Sequence, residues 1–297
     1  MVVAAVAALA AVVVLAVVVL DSGDQEAIDL LDRAFTQPIG SADVALDASA
    51  QAKGVQQLEQ PIRLQLRGPY RTGGDRRIPS VDLAVNVSAS GQSFSGGLVS
   101  TGRNLFVELM GRDYELGKQA VARANRRVAA GAGRGPRLAD LGIDPRRWLE
   151  DPEIEGNRQV AGTATTHVRA GLDVSDMLED LTTLRERAGG QGGGPAPRPL
   201  SAEERERVER VVEDPEFEVF VGKADTKVRR LATVVELEAP EEDRRELGGL
   251  ESGKVSFSIE FSNVGSPQEI TPPRRARPIR ELTTQVLQLL GGAAGAP

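Results

Sequence analysis

Acid–base chemistry in this chain would have to run through one histidine, His167, in the stretch VAGTATTHVRAGLD (160–173). A general base needs an imidazole oriented by a carboxylate, as in a nucleophile–histidine–acid arrangement. If 160–172 is a strand, Ala161, Thr163, Thr165, His167 and Arg169 share one face, and none of them is an acid. His167 is therefore expected to be a surface strand residue. Carboxylates crowd at Glu150, Asp151, Glu153 and Glu155, where a calcium site or a catalytic acid pair would be the chemistry available. The spacing is not that of an EF-hand, and a solvated acidic loop is the expectation. Gly91-Gln92-Ser93-Phe94-Ser95 lacks the closing glycine of a nucleophile elbow. Val221-Gly222-Lys223 and Ser252-Gly253-Lys254 lack the rest of a phosphate loop. Gly131-Ala132-Gly133-Arg134-Gly135 follows a helical stretch, the wrong side for a dinucleotide turn. With one histidine and no cysteine there is no thiolate metal site and no disulfide. No catalytic residue, metal or cofactor is expected.

The elements that hold these residues are more informative. Residues 2–20 are an unbroken run of Val, Ala and Leu. At 1.5 Å per residue they make about 28 Å of helix, the thickness of a bilayer's hydrocarbon core. No small-residue cleavage site lies near the run's end, so an uncleaved anchor (1–20) is expected, with an extracytoplasmic domain over 21–297. Asp21, Asp24, Glu26, Asp29 and Asp32 flank it on the outward side. The formal net charge of −7 argues against a nucleic-acid partner. One Trp, two Tyr and seven Phe are too few for stacking platforms.

From 24 to 35, Ile28, Leu31 and Phe35 recur at helical spacing. The period then changes to two. Val44, Leu46, Ala48 and Ala50 alternate with polar neighbours, as do Ile62, Leu64 and Leu66, then Val81, Leu83, Val85 and Val87. SFSGGLVS and NLFVELMG extend the series to about 110. A helix is expected over 116–130, a short helix and turn over 138–156, and an amphipathic helix from Asp173 carrying Val174, Met177, Leu178, Leu181 and Leu184. A flexible Gly/Pro-rich insert (189–200) follows. A helix over 201–214 precedes a hairpin, 217–223 and 228–239, across Ala224-Asp225-Thr226. In 254–265, Val255, Phe257, Ile259 and Phe261 face away from Ser256, Ser258 and Glu260. TPPRRARP breaks regular structure before a last helix over 281–290.

The sum is an α+β architecture: a curved antiparallel half-barrel of about eight to eleven strands, helices on its apolar concave face, and one N-terminal transmembrane helix. Two readings of that aliphatic face fit the residues. It is either a filled core or a cavity for an acyl chain.

A family resemblance rests on the N-terminal helix before alternating strands, Asp144-Pro145 with Trp148-Leu149, Val160-Ala161-Gly162-Thr163 through His167 into Leu172-Asp173-Val174, and Ser262-Asn263-Val264-Gly265 with Ile270 and Pro272-Pro273. Over about 24–290 these resemble the LppX/LprG group of bacterial cell-envelope lipoproteins, which share the LolA/LolB lipoprotein-carrier fold. The resemblance implies a lipid-binding or lipid-carrier protein whose partner is an acyl-chain lipid or a lipidated protein. It carries no motif of ligand residues. The inner-face aliphatics Val44, Leu46, Leu64, Leu66, Leu83, Val85, Phe257 and Ile259 are the candidates for the cavity. The lipidated cysteine of that group is missing, so the apolar segment 2–20 would supply the membrane attachment. The same fold also serves as an envelope sensor or scaffold module, which implies a membrane transporter or regulator as the alternative partner.

Overall fold

The computed structural model describes residues 24–73, 77–130, 148–177 and 201–281. Helix α1 (Gln25–Thr36) leads into β1 (Ser41–Lys53), a 3₁₀ turn (Gln56–Leu58), β2 (Ile62–Arg71), β3 (Ser80–Ala89), β4 (Gln92–Thr101), β5 (Leu105–Leu109) and β6 (Arg112–Glu115). Helix α2 (Lys118–Ala130) precedes β7 (Leu149–Val160) and β8 (Thr163–Leu172). Helix α3 (Ala202–Val211) runs directly into β9 (Val212–Gly222), followed by β10 (Val228–Glu238), β11 (Ser252–Ser262) and the two-residue β12 (Arg277–Pro278).

All twelve strands form one open, curved sheet in the order β12-β6-β5-β4-β3-β2-β1-β11-β10-β9-β8-β7. Every neighbouring pair is antiparallel except β12 on β6. Three hairpins close through two-residue turns with both φ values positive: Ser90-Gly91, Met110-Gly111 and Ala161-Gly162. That backbone twist matches the right-handed twist of the strands it joins. Gly68, at φ +148, lets β2 and β3 approach closely, since a Cβ there would lie 1.9 Å from the Asp82 carbonyl oxygen.

Helix α1 is fixed at its start by Asp24, whose carboxylate accepts the Glu26 N–H at 3.0 Å. Glu26 in the first turn and Arg33 in the last complement the dipole. Its apolar stripe of Ala27, Ile28, Leu31, Ala34 and Phe35 packs on Leu149, Val168, Ala170, Val219, Val221 and Val228. Leu31 retains no exposed surface, a burial that contributes about 1.5–3 kcal/mol. Helix α3 opens with a reciprocal capping box between Ser201 and Glu204. Its last residue, Val211, joins Ala52, Leu58, Ala239 and Leu250 in a plug at the end of the sheet where β1 finishes.

The structure differs from the sequence expectations in several places, among them the Ala161-Gly162 turn, which divides the stretch read as one strand over 160–172. The described residues form twelve strands rather than eight to eleven, because Arg277–Pro278, inside the segment read as irregular, pairs with Tyr114 and Glu115. Residues 149–156, expected as helix and turn, are the first part of β7. That strand lies at the sheet edge, where charges and a proline replace the apolar alternation that would have marked it. The acidic residues Glu150, Asp151, Glu153 and Glu155 thus lie on a strand, not in a loop. Strand β9 begins at Val212, within the stretch expected to be helical. Among the described residues no helix is long and apolar enough to cross a membrane. The apolar run 2–20, the turn at Asp144-Pro145, the insert 189–200 and the final helix 282–290 lie outside the described residues, as does the helix begun at Asp173 beyond Met177.

Candidate functional site: the concave aliphatic face

Direct cross-strand partners share one face of an antiparallel sheet. One row of partners starts at Ile154 on β7 and continues through Val168, Val219, Leu231 and Ile259. It then crosses Leu46, Leu66 and Val85 to reach Gly96 and Leu109. A second row runs parallel to it: Ala170, Phe217, Thr233, Phe257, Ala48, Leu64, Val87 and Phe94. The concave face is therefore a nearly continuous aliphatic surface, interrupted by Thr233, whose hydroxyl donates to the Glu216 carbonyl at 2.6 Å.

Burial changes along the first row. Val168 is fully buried, and Val219, Ile259 and Leu46 retain 1%, 4% and 3% of their surface. Leu66 and Val85, further along, are only half-buried. Helix α1 packs on the β7–β10 half, where it encloses Val168 and Val219 and leaves Ile154 and Leu231 half-buried. Leu46 and Ile259 are enclosed in a separate cluster with Ala48 and Phe257. Trp148, with Leu172, Met177 and Val235, fills the adjoining space. The β2–β4 half keeps accessible aliphatic surface.

The eight candidate residues all fall on this face. Leu46, Phe257 and Ile259 are buried together with Ala48, and Val44, Leu64 and Leu66 pack half-buried against them. Leu83 and Val85 are half-buried on β3, opposite Leu98 and Gly96. Sequence alternation also missed members of the same rows: Val168, Val219 and Leu231 are reached only through the pairing register. Phe94 was passed over because it sits beside glycines and serines. At the other end of the face, burial pushes the Tyr70 phenol above its ordinary range, and a hydrogen bond with Thr72 partly opposes this.

The convex face is polar and internally paired. Asp47 accepts from Gln65 at 2.6 Å and from Arg67 at 3.2 Å, Ser49 meets Ser256 at 2.8 Å, and Lys254 reaches Glu236 at 2.7 Å. Arg169 bridges Glu216 and Glu155, and its pKa is raised, first by the hydrogen bond to Glu216. His167 also belongs here, but it is buried rather than on the surface as expected. Phe220, its direct partner on β9, stacks on the imidazole, and Glu218 Oε1 lies 3.1 Å from Nε2. The acid comes from the neighbouring strand, which is why β8 alone gave no sign of it. No nucleophile has been brought to this pair among the contacts described. Among the described residues no group of three or more His, Asp or Glu is arranged to hold a metal ion.

No protein-family model and no curated protein sequence matches the chain. Solved structures do. The structure is similar to that of lipoprotein LppX from Mycobacterium tuberculosis. That match has 12% identity and a TM-score of 0.43, and covers 84% of this chain and 100% of LppX. LprF from Mycobacterium bovis matches with 11% identity and a TM-score of 0.43, over 85% of this chain and 99% of LprF. The Pseudomonas aeruginosa MucA/MucB complex matches with 14% identity and a TM-score of 0.26, over 84% of this chain and 59% of its counterpart. The LppX likeness agrees with the family the sequence resembles. The functional reading rests on the concave face.

Proposed function

We propose that this protein is an extracytoplasmic, membrane-anchored lipid-binding or lipid-carrier protein. Residues 2–20 are its anchor, 21–297 its working domain, and an acyl-chain lipid or a lipidated protein its ligand. The observation that carries this reading is the aliphatic row across ten strands, enclosed at Val168, Val219, Ile259 and Leu46 and accessible from Leu66 through Val85. Leu64, Leu66, Leu83 and Val85 are the residues assigned to hold the chain, with Leu46, Phe257 and Ile259 as the floor beneath them. An aliphatic surface of this kind recognises chain length and bulk and makes no demand on the headgroup, because the one hydroxyl within its rows, that of Thr233, is already given to the Glu216 carbonyl.

Native mass spectrometry of residues 21–297, purified from a bacterial host and then denatured, tests the proposal. An added lipid mass that is lost on denaturation is the expected result. A folded domain that is empty in every preparation, and that takes up no lipid from vesicles, overturns it in favour of a partner-binding envelope module.

A further inference from the structure

Two neighbouring hairpin tips expose large apolar side chains. Phe94 near the β3–β4 turn keeps 52% of its surface exposed and Met110 in the β5–β6 turn 75%. The pairing of Gly96 with Leu109 sets Phe94 and Met110 level with one another, with the Ser90-Gly91 turn projecting beyond them. Phe94 belongs to the concave face, ending the row Phe257–Ala48–Leu64–Val87–Phe94. Met110 has φ +51, a left-handed position that favours Asn, Asp or Gly. A methionine there is neither the residue the turn selects nor one that gains packing within the fold.

The end of the sheet that carries these tips is also the end at which the chain enters. Asp24 N–H donates to the Pro152 carbonyl at 3.0 Å, near the start of β7. The register places that start level with the end of β8 and the beginning of β9, and so with the end of β1 and the β3–β4 turn. Helix α1 then carries the chain to the opposite end, where Ser41 pairs with Arg71. Only residues 21–23 separate Leu20 from Asp24, a reach of at most about 15 Å for extended chain. A bilayer spanned by residues 2–20 therefore lies close to this end of the sheet and far from the turns at Gly102, Ala161 and Thr226.

We propose that the Phe94 and Met110 tips rest in the surface of the phospholipid bilayer that holds residues 2–20, forming the rim across which acyl chains pass between membrane and concave face. Arg112, exposed beside Met110, then lies at the level of the lipid phosphates. The proposal rests on the lipid-binding reading for its passage of chains and on the anchor reading of residues 2–20 for the docking itself.

The absence of cysteine allows a single label to be placed at will. Full-length Met110→Cys and Thr226→Cys, each carrying an environment-sensitive fluorophore, are reconstituted into vesicles of phosphatidylcholine and phosphatidylglycerol that contain nitroxide-labelled lipid. Quenching at 110 and none at 226 is the expected result. Absence of quenching at 110, or equal quenching at both, overturns the proposal. Met110→Asn, which suits the turn, is expected to fold at least as well. It should slow lipid uptake from vesicles about tenfold or more, the factor that corresponds to one apolar side chain no longer leaving water, with the amount held at equilibrium unchanged. Unaltered uptake overturns the rim. A quenched tip on a protein that never holds lipid sinks the lipid reading and leaves docking standing; a lipid-loaded protein with an unquenched tip does the reverse.

Discussion

The His167 and Phe220 rings lie 4.4 Å apart, centroid to centroid, and within 3° of parallel. They are direct partners across β8 and β9, and Arg230, the next partner along, sits 5.7 Å from the Phe220 centroid. The stack belongs to the convex side, with the sheet between it and the aliphatic rows. His167→Ala is therefore expected to cost about 1–3 kcal/mol from the lost burial and ring contact, with lipid retention unchanged. Denaturant midpoints and native mass spectra of the same preparation check both halves. A stable variant that has lost its lipid would mean that the two faces are not independent.

The difference in burial along the concave row separates two kinds of variant. Leu46 is enclosed, so Leu46→Ala removes packed methyl groups and is expected to cost about 2–5 kcal/mol. Val85 is half-buried, and a glutamate there can reach water. Val85→Glu should fold with a modestly lowered midpoint and lose bound lipid, because a carboxylate at an acyl-chain surface is costly to desolvate. Circular dichroism melts with lipid extraction from the folded fraction decide the matter. An unfolded Val85→Glu product would instead mark that half of the sheet as filled core.

How legible this was in the sequence depends on what each residue needed. Val44, Leu46, Leu64 and Leu66 announce one face by alternation alone, because their strands are central and covered on one side only. The eight candidates could thus be read from single strands. What could not be read was the register that joins them: Leu231 falls beside Ile259, and Val85 beside Leu66, through pairings that no local pattern specifies. Edge strand β7 was missed because Glu150, Asp151, Glu153 and Glu155 carry the charges that guard an edge, and they disguise its period. His167 was misplaced for a related reason. Its burial is supplied by Phe220 and its acid by Glu218, both more than fifty residues away along the chain.

At the β9–β10 turn, Arg229 is buried and donates to Asp225 Oδ2 at 2.7 Å. Burial pushes the Asp225 carboxyl up, but the Arg229 hydrogen bond and the Lys227 N–H outweigh it and hold the group below its usual value. A folded-state pKa lower than the unfolded one means stability that is complete above the ordinary carboxylate range, near 4. It is lost as pH falls through the folded value. Asp225→Asn should flatten the acid side of the stability profile and cost about 1.5–3 kcal/mol at neutral pH, the range for a hydrogen bond to a charged group. Thermal melts of both proteins from neutral to acid pH check the sign. A variant with an unchanged acid limb would show that other carboxylates control it.

Gly68 ties backbone geometry to the shape of the concave face. It lies opposite Val44, two residues beyond Leu66, and its φ of +148 admits no side chain without strain. A Cβ would fall 1.9 Å from the Asp82 carbonyl oxygen on β3, so alanine must push β2 and β3 apart. Strain of this kind, together with overpacking, is expected to make Gly68→Ala cost about 2–4 kcal/mol. The change should also move Leu66 and Val85 relative to Leu46, so that lipid retention falls in the fraction that still folds. Urea titration with lipid counting on the folded protein separates the two effects. Full retention at reduced stability would show that the acyl-chain surface tolerates a wider β2–β3 spacing. Neither effect would mean that the close approach at Gly68 is incidental.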